Sequence, residues 1–300
     1  MSLIRIAIAG ATGNLGPAIL TALRSSKLFD ITVLTRATST HKFPDDVKVS
    51  RVDYKNESSL IEALRDHKAV VSTLSIFGDN AQEALVDASI KAGVKRFIPS
   101  EFGSDTSNPL VAKIPIFAPK VQLQEYLKTK AREHDGFSYT FIFNGPFLDW
   151  GLAAGMLVDI KNKSATLRDG GDVLFSSSRL STVGQAVVGV LSNLDATANR
   201  AVYVKDADVS QNQLISIAKE LDPSGTWNTT EAETAVEERE ALEKFNPTQP
   251  DIGVISKFLF RAIFGQGFGG RFETVDNELL GVKGLDAQGV KEVVKGVLGA

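Results

Sequence analysis

The tightest constraint on this chain is a seven-residue segment, Gly10-Ala11-Thr12-Gly13-Asn14-Leu15-Gly16, set between two differently patterned stretches. Before it runs Leu3-Ile4-Arg5-Ile6-Ala7-Ile8-Ala9, short and rich in β-formers, which reads as a buried strand. After it, Leu15, Ala18, Ile19, Ala22 and Leu23 recur at the spacing of one helix face. A strand that turns through glycines into a helix is the context in which such a loop holds a dinucleotide. Glycine lets the backbone approach a pyrophosphate, and the helix N-terminus offers N–H donors. Pro17 suits a first helical turn, where its missing N–H has no partner to lose. The spacing is G-x-x-G-x-x-G, a variant of the commoner G-x-G-x-x-G. Gly265-Gln266-Gly267-Phe268-Gly269-Gly270 matches the commoner form but follows Lys257 to Phe264, read as an apolar helix, with no crossover unit around it. It reads as a loop beside aromatic residues.

Strand and helix patterns alternate through the first half. Strands are expected at 31–35, 47–52, 69–74, 94–98 and 139–143, with helices near 58–66, from about Asn80 to Ala92, and from Pro119 onward. That repetition implies an α/β fold, a doubly wound parallel sheet with right-handed crossovers, whose ligands bind at the carboxyl ends of the strands. After Trp150 the rhythm breaks. A strand at 201–204 and a helix over 210–221 suggest that part of this half returns to the sheet. Glu231 to Phe245 reads as a charged, solvated helix, and Phe258, Phe260, Phe264, Phe268 and Phe272 as core or as a substrate wall.

Composition removes several classes of chemistry. There is no cysteine, and the three histidines, His41, His67 and His134, lie far apart in polar neighbourhoods, so disulfides, thiolate sites and a His-based metal site or triad are not expected. The net charge of -3, without a basic arm, argues against nucleic acid. No run reaches the roughly eighteen apolar residues of a membrane span, and no leader pattern precedes the first strand, so the expected location is cytoplasmic.

The end of the second strand selects the cofactor. NAD-binding folds place an acid there for the ribose 2′-hydroxyl; here the strand ends Leu34-Thr35-Arg36, and the first acid is Asp45. Arg36, with Lys42 six residues on, suits a 2′-phosphate, so NADPH is expected rather than NADH.

The glycine loop, Arg36 with Lys42, and the stretch Ala92-Gly93-Val94-Lys95-Arg96-Phe97-Ile98-Pro99-Ser100-Glu101-Phe102-Gly103 resemble the isoflavone reductase-like and NmrA-like proteins, atypical short-chain dehydrogenase/reductases. Asn144-Gly145-Pro146-Phe147 and Asp276-Asn277-Glu278-Leu279-Leu280-Gly281 extend the resemblance over essentially the whole chain. It implies a Rossmann domain over residues 1–155, with 180–207 returning to its sheet, and a smaller C-terminal substrate-binding lobe in the remainder of 156–300. It also implies a lysine at the start of the helix after Pro-Ser-Glu-Phe-Gly that serves the chemistry, and Lys120 in Phe117-Ala118-Pro119-Lys120-Val121 occupies that place. In a first turn the macrodipole disfavours a cation, which would lower the lysine's pKa toward useful proton transfer. The Tyr-x-x-x-Lys pair of carbonyl-reducing relatives is broken, because Ile116 stands four before Lys120.

The expected function is therefore an NADPH-dependent reductase of a small aromatic or phenolic metabolite. An activated C=C or a quinone methide fits, since delocalisation stabilises the anion formed by hydride addition. Gly10, Thr12, Gly13, Asn14, Leu15, Gly16, Arg36, Lys42, Leu74, Ser75, Lys120, Pro146 and Phe147 are the candidate cofactor contacts, with Lys120 also the candidate catalytic residue. Phe102, Phe147, Trp150, Phe264 and Phe268 are candidates for the substrate wall. The resemblance leaves open a redox sensor that binds NADP(H) without catalysis, and a non-redox isomerase on the same fold.

Overall fold

A computed structural model describes residues 3–75, 81–249 and 251–299. The alternation read from the sequence appears as strand β1 (Ile4–Ala9), helix α1 (Gly16–Ser26), β2 (Phe29–Arg36), β3 (Lys48–Val52), α2 (Glu57–Leu64), β4 (Ala69–Ser72), α3 (Ala81–Lys91) and β5 (Arg96–Ile98). The expected start of α3 at Asn80 lies outside the described residues. Two short 3-10 turns, Val111–Lys113 and Pro115–Phe117, lead into α4 (Ala118–Glu133), followed by β6 (Ser138–Phe143) and α5 (Leu148–Ala153). Next come β7 (Ser164–Arg168), β8 (Phe175–Ser177), α6 (Leu180–Ser192), β9 (Arg200–Tyr203), β10 (Ala207–Val209) and α7 (Gln211–Leu221). The chain ends with β11 (Asn228–Ala232), α8 (Thr234–Lys244), α9 (Ile252–Phe264) and α10 (Ala287–Leu298).

Seven strands form one parallel sheet in the order β3-β2-β1-β4-β5-β6-β9. The order reverses at β1, which lies between β2 and β4, so a crevice opens between the carboxyl ends of β1 and β4. Successive residues of β1 feed opposite faces. Ile6 and Ile8 join a core with α1 and α6, while Ala7 and Ala9 join one that takes in Leu60, Leu85 and Leu127. Both faces are thus buried, which is why the strand is almost wholly apolar. The α1 and α6 helices touch closely: a Cβ on Gly184 would lie 2.7 Å from the Ala18 carbonyl oxygen.

Residues 200–203 return to the main sheet as its seventh strand. The return is held by Arg96, which is 2 % exposed. Its guanidinium donates to the hydroxyls of Ser138, Thr140 and Thr197 and to the Leu194 carbonyl, tying the approach to β9 onto β5 and β6.

The remaining strands pair outside this sheet, β8 with β10 and β7 with β11, and a separate apolar cluster joins α5, α7, α9 and α10. The stretch read as one charged helix from Glu231 is β11 followed by α8. Its acids are engaged rather than merely solvated: Glu237, Glu238 and Glu240 pair with Arg168, Arg261 and Lys257. Gly265 to Gly270 is the loop after α9, as expected. His67 departs from its reading as a polar-neighbourhood residue. It is 8 % exposed, with Nε2 2.9 Å from the Thr32 hydroxyl, and burial pushes its pKa down. Among the described residues, no helix is long and apolar enough to cross a membrane, and no group of three or more His, Cys, Asp or Glu could hold a metal ion.

Candidate active site

The three glycines of the loop do three different jobs. Gly10 has φ +86°, a conformation costly to any other residue, and a Cβ there would lie 2.6 Å from the Thr73 hydroxyl. Gly16 packs the start of α1 onto the loop, since a Cβ would come within 2.6 Å of the Ala11 backbone. Gly13 is different: a Cβ there would meet nothing closer than the Gly10 carbonyl oxygen at 3.6 Å. Its bareness serves no packing need within the chain, as expected where a ligand approaches the backbone. The N-cap of α1 is Leu15, whose side chain caps no N–H; Pro17 has no N–H and the Ala18 amide donates to the Leu15 carbonyl at 3.1 Å, so within the first turn the Gly16 amide is the donor left for an anion.

Beside this loop lies a cleft of about 920 Å³ along the ends of β1, β2, β3 and β4. Gly10, Thr12 and Gly13 line it, with Arg36 from the end of β2 and Leu74 and Ser75 after β4. Arg36 is exposed and forms no ion pair among the described residues. Phe43, Asp53 and Tyr54 also line the cleft, and sequence reasoning missed all three. The Tyr54 hydroxyl is pushed up to about 12 by burial, against the lowering influence of the Arg36 charge, so the phenol stays neutral beside the cation. Lys42 is exposed and is not among the lining residues. A glycine cradle, the amide at the start of α1 and a cation at the ribose end suit a dinucleotide bearing a 2′-phosphate.

Lys120 stands in the first turn of α4, with Ala118 and Pro119 ahead of it. Its Nζ donates to the backbone carbonyl of Glu101, in the turn that follows β5. Burial lowers the Lys120 pKa, opposed by the negative charge of Glu101. The lowering expected from the helix field is here a consequence of desolvation. Ile116 is 2 % exposed in the preceding 3-10 turn, so no hydroxyl is offered from that position.

The remaining candidates separate. Asn14 and Leu15 lie on the turn into α1. Pro146 and Phe147 follow β6, where the Ser177 hydroxyl donates to the Pro146 carbonyl and Phe147 packs against the core cluster that contains Phe102. Phe102 is 8 % exposed and sits at φ +23°. Trp150 borders a different cavity of about 570 Å³ with Phe260 and Met156. Phe264 and Phe268 are corrections to the expected wall. Phe264 is 1 % exposed and packs edge-on to Phe175, with ring centroids 5.2 Å apart. Phe268 is 6 % exposed beneath the Arg261 guanidinium, 4.4 Å from its ring centroid. Both are core residues: Phe264 belongs to the cluster with Leu214 and Val294, and Phe268 to one that joins α9 to Val111, Ile114, Ile116 and Phe117.

Comparison with known proteins agrees with this geometry. Oxidoreductase aprR of Aspergillus flavus is 34% identical, over 98% of this chain and 99% of its own. Phenylcoumaran benzylic ether reductase TP7 of Nicotiana tabacum is 28% identical over 58% of each. The solved complex of AtPrR2 with NADP+ and (+)pinoresinol shares the fold, with a TM-score of 0.78 at 21% identity, covering 99% of both chains. Residues 4–222 match the NmrA-like family, and the chain belongs to that family.

Proposed function

We propose that this protein is an NADPH-dependent reductase of small aromatic or phenolic metabolites whose reducible bond is conjugated to an oxygen. The observation that carries the reading is Lys120. It is a half-buried lysine with a lowered pKa, held by a backbone carbonyl at the carboxyl edge of the sheet whose glycine loop and Arg36 suit NADPH. The kinship with proteins named oxidoreductase and benzylic ether reductase supports the same class.

The cofactor, when bound, supplies a hydride. The chain's residues do the rest. Gly10, Thr12 and Gly13 receive the phosphates, and Arg36 receives the 2′-phosphate. A hydride added to a conjugated carbon leaves negative charge on the substrate's oxygen, and the Lys120 ammonium neutralises it by hydrogen bonding or by giving up a proton. With Ile116 in place of a tyrosine, the lysine acts without a phenolic donor, which suits an anion already stabilised by conjugation.

Purified protein incubated with NADPH and a panel of phenolic enones and quinone methides tests the reading through loss of reduced-nicotinamide absorbance. Lys120→Met keeps much of the side-chain volume and is expected to lower kcat by about 10²–10⁴-fold while NADPH affinity changes far less. Hydride transfer that survives within a factor of about three would make Lys120 a bystander. Tight NADPH binding with no turnover on any substrate would favour a sensor.

A further inference from the structure

The turn after β5 holds a second ionisable group whose placement calls for an explanation. Glu101 is 1 % exposed. One carboxylate oxygen, Oε2, accepts from the Thr106 hydroxyl at 2.9 Å, and that hydroxyl in turn accepts from the Gln124 amide at 2.5 Å. The other, Oε1, has no hydrogen-bond partner among the described residues. A buried carboxyl with a bare oxygen is unfavourable unless something nearby benefits from its charge. The backbone here is bent to suit. The Glu101 amide donates to the Pro99 carbonyl at 2.8 Å, and Phe102 adopts φ +23°, a region that side chains rarely occupy. Gly103 is fixed next to it by amides of Asn144 and Gly145, which donate to its carbonyl. This reversal sends the Glu101 carbonyl to the Lys120 Nζ while its side chain turns inward to Thr106. A Cβ on Gly103 would lie 4.0 Å from the Nζ, in ordinary contact, which places this residue beside the amine.

We propose that Glu101 is the positioning residue for Lys120, aiming the Nζ with its carbonyl and supplying, with its buried carboxylate, the counter-charge that keeps the amine protonated. This rests on Lys120 being the proton donor of the proposed reductase. The charged surroundings are few. Burial raises Glu101 above the usual carboxylate range, opposed in part by Lys120, the Thr106 hydroxyl and the Gln124 amide. Asp105, on the same loop, raises Glu101 further and is itself raised by burial. From β9, the Tyr203 hydroxyl donates to Asp105 at 3.2 Å and is pushed up to about 12, chiefly by burial, so it stays neutral. Asp276 also raises Tyr203, and Lys113 on the adjoining 3-10 turn is exposed. Glu101 is therefore the carboxylate whose charge bears on Lys120.

The sign follows. Removing the counter-charge lets the amine lose its proton more easily, so the Lys120 pKa falls. Acetylation of Lys120 by acetic anhydride, followed by peptide mass spectrometry across pH, reads that pKa with no need for turnover. In Glu101→Gln the midpoint is expected to move down by about 1 unit or more, since an opposite charge nearby shifts a pKa by roughly 1–3 units. The cofactor-induced rise in Tm stays unchanged. Thr106→Val, which removes the hydroxyl that favours the ionised carboxyl, moves it the same way by less and serves if the glutamine variant does not fold. Midpoints equal to wild type in both variants overturn the proposal. Where a substrate turns over, the alkaline limb of the kcat profile must move with the midpoint; a limb that stays put also overturns it. A shifted midpoint in an enzyme that reduces nothing would sustain the Glu101–Lys120 pairing while removing the reductase reading.

Discussion

Arg36 shows how one residue can choose between two cofactors that differ by a phosphate. It stands at the last position of β2, exposed, lining the cleft, and forming no ion pair among the described residues. A guanidinium in that state can give a charge-assisted pair to a 2′-phosphate, worth roughly 1.5–3 kcal/mol, or about ten- to a hundredfold in affinity. Arg36→Ala is expected to weaken NADPH binding by that factor and leave NADH nearly unchanged, as calorimetric titration of both would show. Equal affinity of the wild type for the two would remove Arg36 from the cofactor site. Asp53 tempers the picture at the same scale, being a carboxylate in the cleft that comes from β3 rather than β2. Its side chain accepts from the Lys55 amide at 2.9 Å, an interaction that shapes its own turn.

At the scale of elements, the strand–loop–helix unit separates folding from binding within seven residues. Gly16 is required by packing, whereas a side chain at Gly13 has room within the protein and would project into the proposed phosphate site. Gly16→Val is therefore expected to destabilise the chain by several kcal/mol, on the scale of severe core overpacking. Gly13→Val is expected to melt near wild type but to lose the NADPH-induced rise in Tm. Thermal melts with and without NADPH check both; a Gly13→Val protein that keeps the full rise would place the phosphates elsewhere. This unit was legible in the sequence because its information is local: a strand period, a glycine spacing and a helix face, in order. Phe43, Asp53 and Tyr54 were not, since their presence in the cleft depends on β3 lying outside β2 in the sheet. Glu101, Thr106 and Gln124 likewise meet only after α4 has folded back over the turn behind β5. Phe264 and Phe268 mark the opposite limit. Core and pocket wall both demand apolar side chains, so the residue type alone could not tell them apart.

For the whole molecule, the sheet is assembled from distant parts of the chain. The alternation up to residue 143 revealed six strands, and a fragment ending at 155 corresponds to the expected dinucleotide domain. That fragment lacks β9, which covers the edge of β6, and α6, which packs on α1. It also lacks Leu194 and Thr197, two of the groups that receive the buried Arg96 guanidinium. Residues 1–155 alone are expected to show no cooperative thermal unfolding and to bind a hydrophobic dye such as ANS, whereas the full chain melts cooperatively. A soluble fragment with a sharp melt would establish it as an independent unit.

The late arrival of β9 also sets a timetable for biosynthesis. A ribosome adds residues in order, at about 5–20 per second, so every strand of the sheet but the last is made several seconds before its final edge partner exists. During that interval the nascent chain presents the open edge of β6, the bare flank of α1 and a guanidinium without its final acceptors. Chaperones that bind extended apolar segments would find their target in this window, and slow codons between residues 144 and 199 would prolong it.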